Sequence, residues 1–305
     1  MLINTICNTP KIYDQKPAYV SFTKKQNKVQ VDTFEKQREP YNVGNSIDDF
    51  SYELYELLRW KYSNQDEIRD LMRKYVPGTK LRDDTKEPDA NNATAIFKHK
   101  YKISKDGKIH YIKKKIVLDM DKKEDKKPNF YNDVVHEMTH NLQVNKEKRI
   151  VNKVFNDYFS DNFENKKFFC ALFYTAYNHG SALVSDAFSE SKIYYGIADK
   201  IRYNKRRNAN VENLLKNYTS NITKEDRKEI RQMYDIGVLT LLKNEKEAYG
   251  IAHERASKYY PDAKNNTWLI YQLLNPLCSF VLNDLKHSGI STEKYQEYVD
   301  MLDSD

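Results

Sequence analysis

Two histidines four positions apart, His136 and His140, with an acid, Glu137, directly after the first, are the residues of this chain best suited to chemistry. On a helix such positions emerge from one face a turn apart, so both imidazoles can reach a single ion. Glu137 is then placed to reach a water held by that ion without occupying the ion itself. Zinc in a catalytic site takes three protein ligands and a water, and lowers the pKa of that water to about 7. A neighbouring carboxylate can pass the water's proton to a leaving amine, and this is the role expected of Glu137.

A third ligand must come from elsewhere, because no HxxGxxH extension follows His140. The candidates are Glu245, Glu190, Glu247 and Asp186, each of which also reads as an ordinary helix carboxylate. A hydrolase further needs a donor for the developing oxyanion. Tyr249 and His253 follow Glu245 by one and two turns and are the candidates for that role, with His179, beside Gly180, a more remote one.

The segment His136-Glu137-Met138-Thr139-His140 resembles the motif helix of the zincin metallopeptidases. The segment Glu245-Lys246-Glu247-Ala248 is similar to the ExxA-type helix of gluzincins, which include the prenyl-protein and the phage-repressor-associated peptidases. That resemblance implies Zn2+ as cofactor, Glu245 as third ligand, and a small Ala248 letting two helices approach closely. It also implies an edge strand ahead of the motif helix that holds an extended peptide, and residues 101–118 stand where that strand is expected. Tyr249 departs from the pattern, since several of these families place Asp or Asn there.

The elements that must position these residues follow from hydrophobic period. Val134, Val135, Met138 and Leu142 form one stripe, which predicts a helix over about 129–144 with a buried side. Ahead of it, Tyr101, Ile103, Ile109, Tyr111 and Ile116-Val117-Leu118 flank Asp106-Gly107, the signal of a β-hairpin. Residues 79–95 read as loop. Helices are expected from Ser46 and over Gln65–Tyr75, then in succession over about 149–162, 166–178, 181–201, 211–217, 223–243, 245–259, 265–285 and 291–302. Residues 1–45, polar and carrying Pro10, Pro17 and Pro40, read as a tail or extended arm. The expected fold is therefore a mainly α-helical α+β domain over 46–305, zincin-like, with a small antiparallel β element before the motif helix and a helical extension after about 149.

Composition narrows the function classes. A chain of 305 residues can bury a core without staples, so a metal here is catalytic before it is structural. Cys7, Cys170 and Cys278 form no CxxC pair, which argues against a disulfide framework or thiolate zinc site. The start lacks the layout of a secretory signal, and the apolar stretch Trp268–Leu282, broken by Gln272, Asn275 and Pro276, reads as a core helix. A soluble, cytoplasmic protein is expected, acting on a peptide or protein. Two rivals stand beside the peptidase: an inactive zincin-like binding module, and a nucleic-acid binder using the basic runs 113–115, 122–127 and Lys200–Arg207. The net charge of +7, from 51 basic and 44 acidic residues, is mild for the last of these.

Overall fold

The computed structural model describes residues 43–59, 65–76, 80–83, 95–98, 101–103, 109–111, 114–118, 127–159, 163–190, 197–218, 222–262 and 267–304. The expected arm lies outside them except for residues 43–45, and so does most of the basic run 122–127. The first helix, α1 (Val43–Arg59), starts three residues before the predicted Ser46. It buries Ile47, Phe50, Leu54 and Leu58 against α2 (Gln65–Tyr75), whose Ile68, Leu71 and Met72 are buried in return. Asp66 and Glu67 in the first turn of α2, with Arg73 and Lys74 in the last, complement its dipole.

Five short strands follow: β1 (Lys80–Asp83), β2 (Ala95–Lys98), β3 (Tyr101–Ile103), β4 (Ile109–Tyr111) and β5 (Lys115–Leu118). The hairpin around Asp106-Gly107 is β3 against β4, with Tyr101 opposite Tyr111. The other three strands form a sheet in the order β1-β5-β2, parallel between β1 and β5 and antiparallel between β5 and β2. The expected small antiparallel element thus includes one parallel pair, and of the loop expected over 79–95, Lys80–Asp83 and Ala95 are strand, while 79 and 84–94 lie outside the described residues. Lys80-Leu81-Arg82-Asp83 and Ala95-Ile96-Phe97-Lys98 are too short to carry a period, and they become strands because the apolar run of β5 pairs on both sides.

The helices are longer than the sequence periods suggest. One helix, α3 (Lys127–Tyr158), replaces the two expected around a break at 145–148. The polar stretch Asn145-Lys146-Glu147-Lys148 contains neither Gly nor Pro, and what changes there is the neighbour. Phe130, Tyr131, Val134, Val135, Met138 and Val144 belong to a core shared with α1, α2 and the sheet. Ile150, Val151, Val154, Phe155 and Tyr158 belong to a second core, built with the later helices.

Likewise α4 (Phe163–Glu190) runs straight through Gly180, where a break was expected. A Cβ at Gly180 would stand 2.7 Å from Leu241 Cδ2, and one at Gly237 would stand 2.9 Å from Ala176 Cβ. The two glycines are there for close helix approach and not for termination. The remaining helices are α5 (Ile197–Tyr218), α6 (Lys224–Tyr259), α7 (Thr267–Lys286) and α8 (Thr292–Asp303). Thr223 and Asp226 close a capping box at the start of α6, which then continues through the expected break at Asn244. Like α3, α6 serves both cores: Ile230 to Leu242 and Tyr249 face one, Ala252 and Ala256 the other. Among the described residues the chain is mainly helical, and no helix there is long and apolar enough to cross a membrane.

Candidate metal centre

On α3 the 3.6-residue period turns His136 and His140 the same way, and both face α6. Their rings meet edge to face, with centroids 4.6 Å apart. The two Nε2 atoms lie 3.0 Å from each other. Glu245, from α6, straddles them: its Oε1 is 3.4 Å from His140 Nε2 and its Oε2 is 3.5 Å from His136 Nε2. The three side chains are the one His/Cys/Asp/Glu group among the described residues whose donor atoms converge closely enough to hold a metal ion. A tetrahedral ion with bonds of roughly 2.0–2.1 Å needs donor atoms about 3.3–3.4 Å apart, close to the spacing found here. Glu245 Oε2 is buried and has no hydrogen-bond partner among the described residues, so a donor faces the point of convergence with lone pairs to spare.

The electrostatics of the group call for positive charge. Burial disfavours a charge on Glu245, yet His140 and His136 outweigh it and hold the carboxyl down at about 2. Burial equally opposes a charge on His140, but Glu245, Glu137 and the bond to Gln143 push that imidazole up to about 9. His136 goes the other way, kept neutral by burial and by the charge on His140. One imidazolium thus supplies the cation that the carboxylate requires. His136 and Glu245 are each 1% exposed and His140 is 12% exposed, so the approach from solvent is on the His140 side.

Glu137 is also buried, and its Oε2 accepts from the backbone N–H of Phe97 on β2 at 2.7 Å. Burial and, secondarily, Glu245 push its carboxyl up to about 8, against the opposing pull of His140 and the Phe97 N–H. The strand that meets the motif helix is therefore β2, at the edge of its sheet, and not the 101–118 segment named from the sequence. Phe97 went unrecognised because Ala95-Ile96-Phe97-Lys98 is a four-residue run with no period to read.

Of the three suggested donors, only Tyr249 joins the group. Its ring lies 4.2 Å from that of His136, and burial, with Glu245 and Glu137 nearby, keeps its phenol protonated well above the usual range. His253 instead turns to Trp268 at the start of α7, with ring centroids 5.1 Å apart, and lies outside the group. Lys246, Gly250 and His253 share the α6 face that meets α7, and this draws the ring away from α3.

The other candidates also lie elsewhere. Glu190 ends α4, and its side chain is outside the described ones. Glu247 accepts from Gln143 at 2.9 Å and pairs with Lys146 at 3.3 Å. Asp186 is exposed on α4. His179 is buried among aromatics, bonded to Tyr234 Oη at 3.1 Å and stacked on Tyr203. In the basic stretch of α5, Arg207 pairs with Asp235 at 2.5 Å and Lys200 with Asp284 at 3.1 Å, while Tyr203 is buried. Arg207 and Tyr203 are thus engaged in helix packing, while Arg202, Lys205 and Arg206 of the same stretch are exposed.

One residue of the site was missed altogether. Gln143, 2% exposed, accepts from His140 Nδ1–H at 3.0 Å. Its sequence signal is its place three residues after His140 on the same helix face.

No family model, no curated protein and no solved structure matches this chain.

Proposed function

We propose that the chain is a zinc-dependent hydrolase of peptide bonds, a zincin-like metallopeptidase in which His136, His140 and Glu245 hold the metal. The observation that carries this reading is the convergence of two Nε2 atoms, 3.0 Å apart, on the carboxylate of a second helix. Two imidazoles and one carboxylate are a donor set that favours Zn2+ over the harder Mg2+ and Ca2+. When bound, zinc supplies a Lewis acid that polarises the scissile carbonyl and acidifies a water.

The chain's own residues do the rest. Glu137, held by the Phe97 N–H and ionised once a cation sits in the group beside it, takes a proton from the attacking water onto a carboxylate oxygen and delivers it to the leaving amine. Tyr249, kept protonated beside His136, retains the hydrogen that an oxyanion would accept. An extended peptide laid along the edge strand β2 would be aligned by main-chain pairing next to Glu137.

The test is a zinc titration of the full chain joined to turnover of a mixed peptide pool. The expected result is close to one zinc per chain, with Glu137→Gln keeping the metal and losing turnover by about 10²-fold or more. A chain that takes up no divalent ion overturns the reading. Stoichiometric zinc without turnover in the unmodified chain would reassign the site to a binding module.

A further inference from the structure

The amide of Gln143 lies between the two helices that carry the metal ligands. Its Oε1 faces His140 Nδ1 at 3.0 Å, while its Nε2 faces two acceptors on α6, the backbone carbonyl of Asn244 at 3.1 Å and Glu247 Oε2 at 2.9 Å. Asn244 directly precedes the ligand Glu245, and Glu247 is itself anchored by Lys146 at 3.3 Å. An amide has two donor hydrogens on nitrogen and only lone pairs on oxygen. Reversing it would set Oε1 against two other oxygens and turn the NH2 toward the imidazole, so the acceptors on α6 fix its orientation. An acceptor facing His140 Nδ1 requires a hydrogen there, and in the neutral ring this leaves the lone pair on Nε2, the atom that faces His136 and Glu245.

We infer that Gln143 is a positioning residue for the metal centre: it reads the hydrogen-bonding pattern of α6 and imposes on His140 the tautomer and ring orientation that aim Nε2 at the metal. The inference rests on the metal reading of the site and adds what that reading lacks, a reason for the second histidine to present the correct nitrogen. It also makes one side chain hold His140 and the backbone beside Glu245 in mutual register, since both bond to the same amide.

The test uses zinc alone as probe on the full chain, with long-range 1H–15N spectra of the histidine rings reading the tautomer. Gln143→Leu should weaken zinc binding about 10–100-fold, the usual range for a residue that orients a ligand, and the zinc-free His140 should become a mixture of tautomers at a pH where both rings are neutral. Gln143→Glu keeps the acceptor for His140 but places its second oxygen against Glu247 and Asn244 O, and should also bind weakly. Adding Glu247→Gln to it returns a donor across the helices and should restore zinc affinity to within a few fold.

Failure of this rescue overturns the inference, and so does a Gln143→Leu protein with unchanged affinity and a single Nδ1–H tautomer. If Gln143→Leu does not fold, the Glu variant and its rescue decide alone. If the unmodified chain binds no divalent ion, the metal reading fails, and the zinc-free tautomer then judges Gln143. A single Nδ1–H form lost in the Leu variant keeps its positioning role, and a mixture in the unmodified chain ends it.

Discussion

In the buried group of two imidazoles and a carboxylate, a proton on His140 does the work that a divalent ion would do better. The proton neutralises one charge and leaves Glu245 Oε2 without a hydrogen-bond partner, whereas an ion at the convergence point would engage all three donors. Metal uptake should therefore release more than one proton at neutral pH, one from His140 and most of another from Glu137, and calorimetry in buffers of different ionisation heat would read this directly. Removing a ligand should cost more than removing a residue that orients one. Glu245→Gln and His140→Ala are each expected to lower zinc affinity by more than about 100-fold, above the range of outer residues, as measured by competition with a chelating dye. A Glu245→Gln protein that binds zinc as tightly as the unmodified chain would remove Glu245 from the site.

At the scale of elements, the crossing of α4 and α6 depends on small residues. Gly237 faces Ala176, whose Cβ has no rotamer by which to withdraw, while Gly180 faces the mobile end of Leu241. Gly237→Ala should thus destabilise the chain by about 1–3 kcal/mol through overpacking, seen as a lower urea midpoint, and Gly180→Ala should cost less because its nearest contact, Leu241 Cδ2, ends a side chain that can turn.

What the sequence disclosed at this scale has a physical pattern. The HExxH pair, the bounds of α2 and the pairing of β3 with β4 were legible because each is set by local spacing or turn chemistry, whereas Glu245 stood among four carboxylates and was singled out only by the gluzincin resemblance. The breaks expected at 145–148, 179–180 and 244 do not exist. Polar residues at 145–148 and 244 lie near a change of packing partner along one helix, and Gly180 serves a close helix approach; periodicity can tell neither from an end. The strands β1 and β2, the Phe97 bond to Glu137 and the Gln143 bridge depend on partners about 20 to 100 positions away, and no local pattern encodes them.

Across the whole molecule, acid stability is set in part by the polar knot between α4, α5 and α6. Burial, with help from Arg206 and Arg207, pushes the His179 imidazole from its usual 6.5 down to about 3. The unfolded chain therefore binds this proton first, so the stabilisation is complete above about pH 6.5 and is lost as pH falls through that window toward 3. Asp235 acts with the opposite sign. Burial, opposed by Arg207 and Tyr203, raises its carboxyl from 3.8 to about 6, so the native state takes that proton first and gains stability as pH falls from 6 to 3.8. The His179 shift is the larger, and replacing it by Gln should flatten the decline of the urea midpoint between pH 6.5 and 4, recovering on the order of a few kcal/mol at most. An unchanged slope would place the acid-sensitive proton elsewhere.

The two long helices α3 and α6 are each gripped near both ends, by a different core at each end, and the three converging side chains sit close to mid-span. Fraying that begins at a helix terminus must loosen one core before it reaches them, so the backbone amides around His140 and Glu245 should be among the last in the chain to exchange with deuterated solvent. The same arrangement means that neither half of the polypeptide can be cut away and keep the donor set whole: a fragment ending after α3 would carry both rings but leave the carboxylate behind on the other piece.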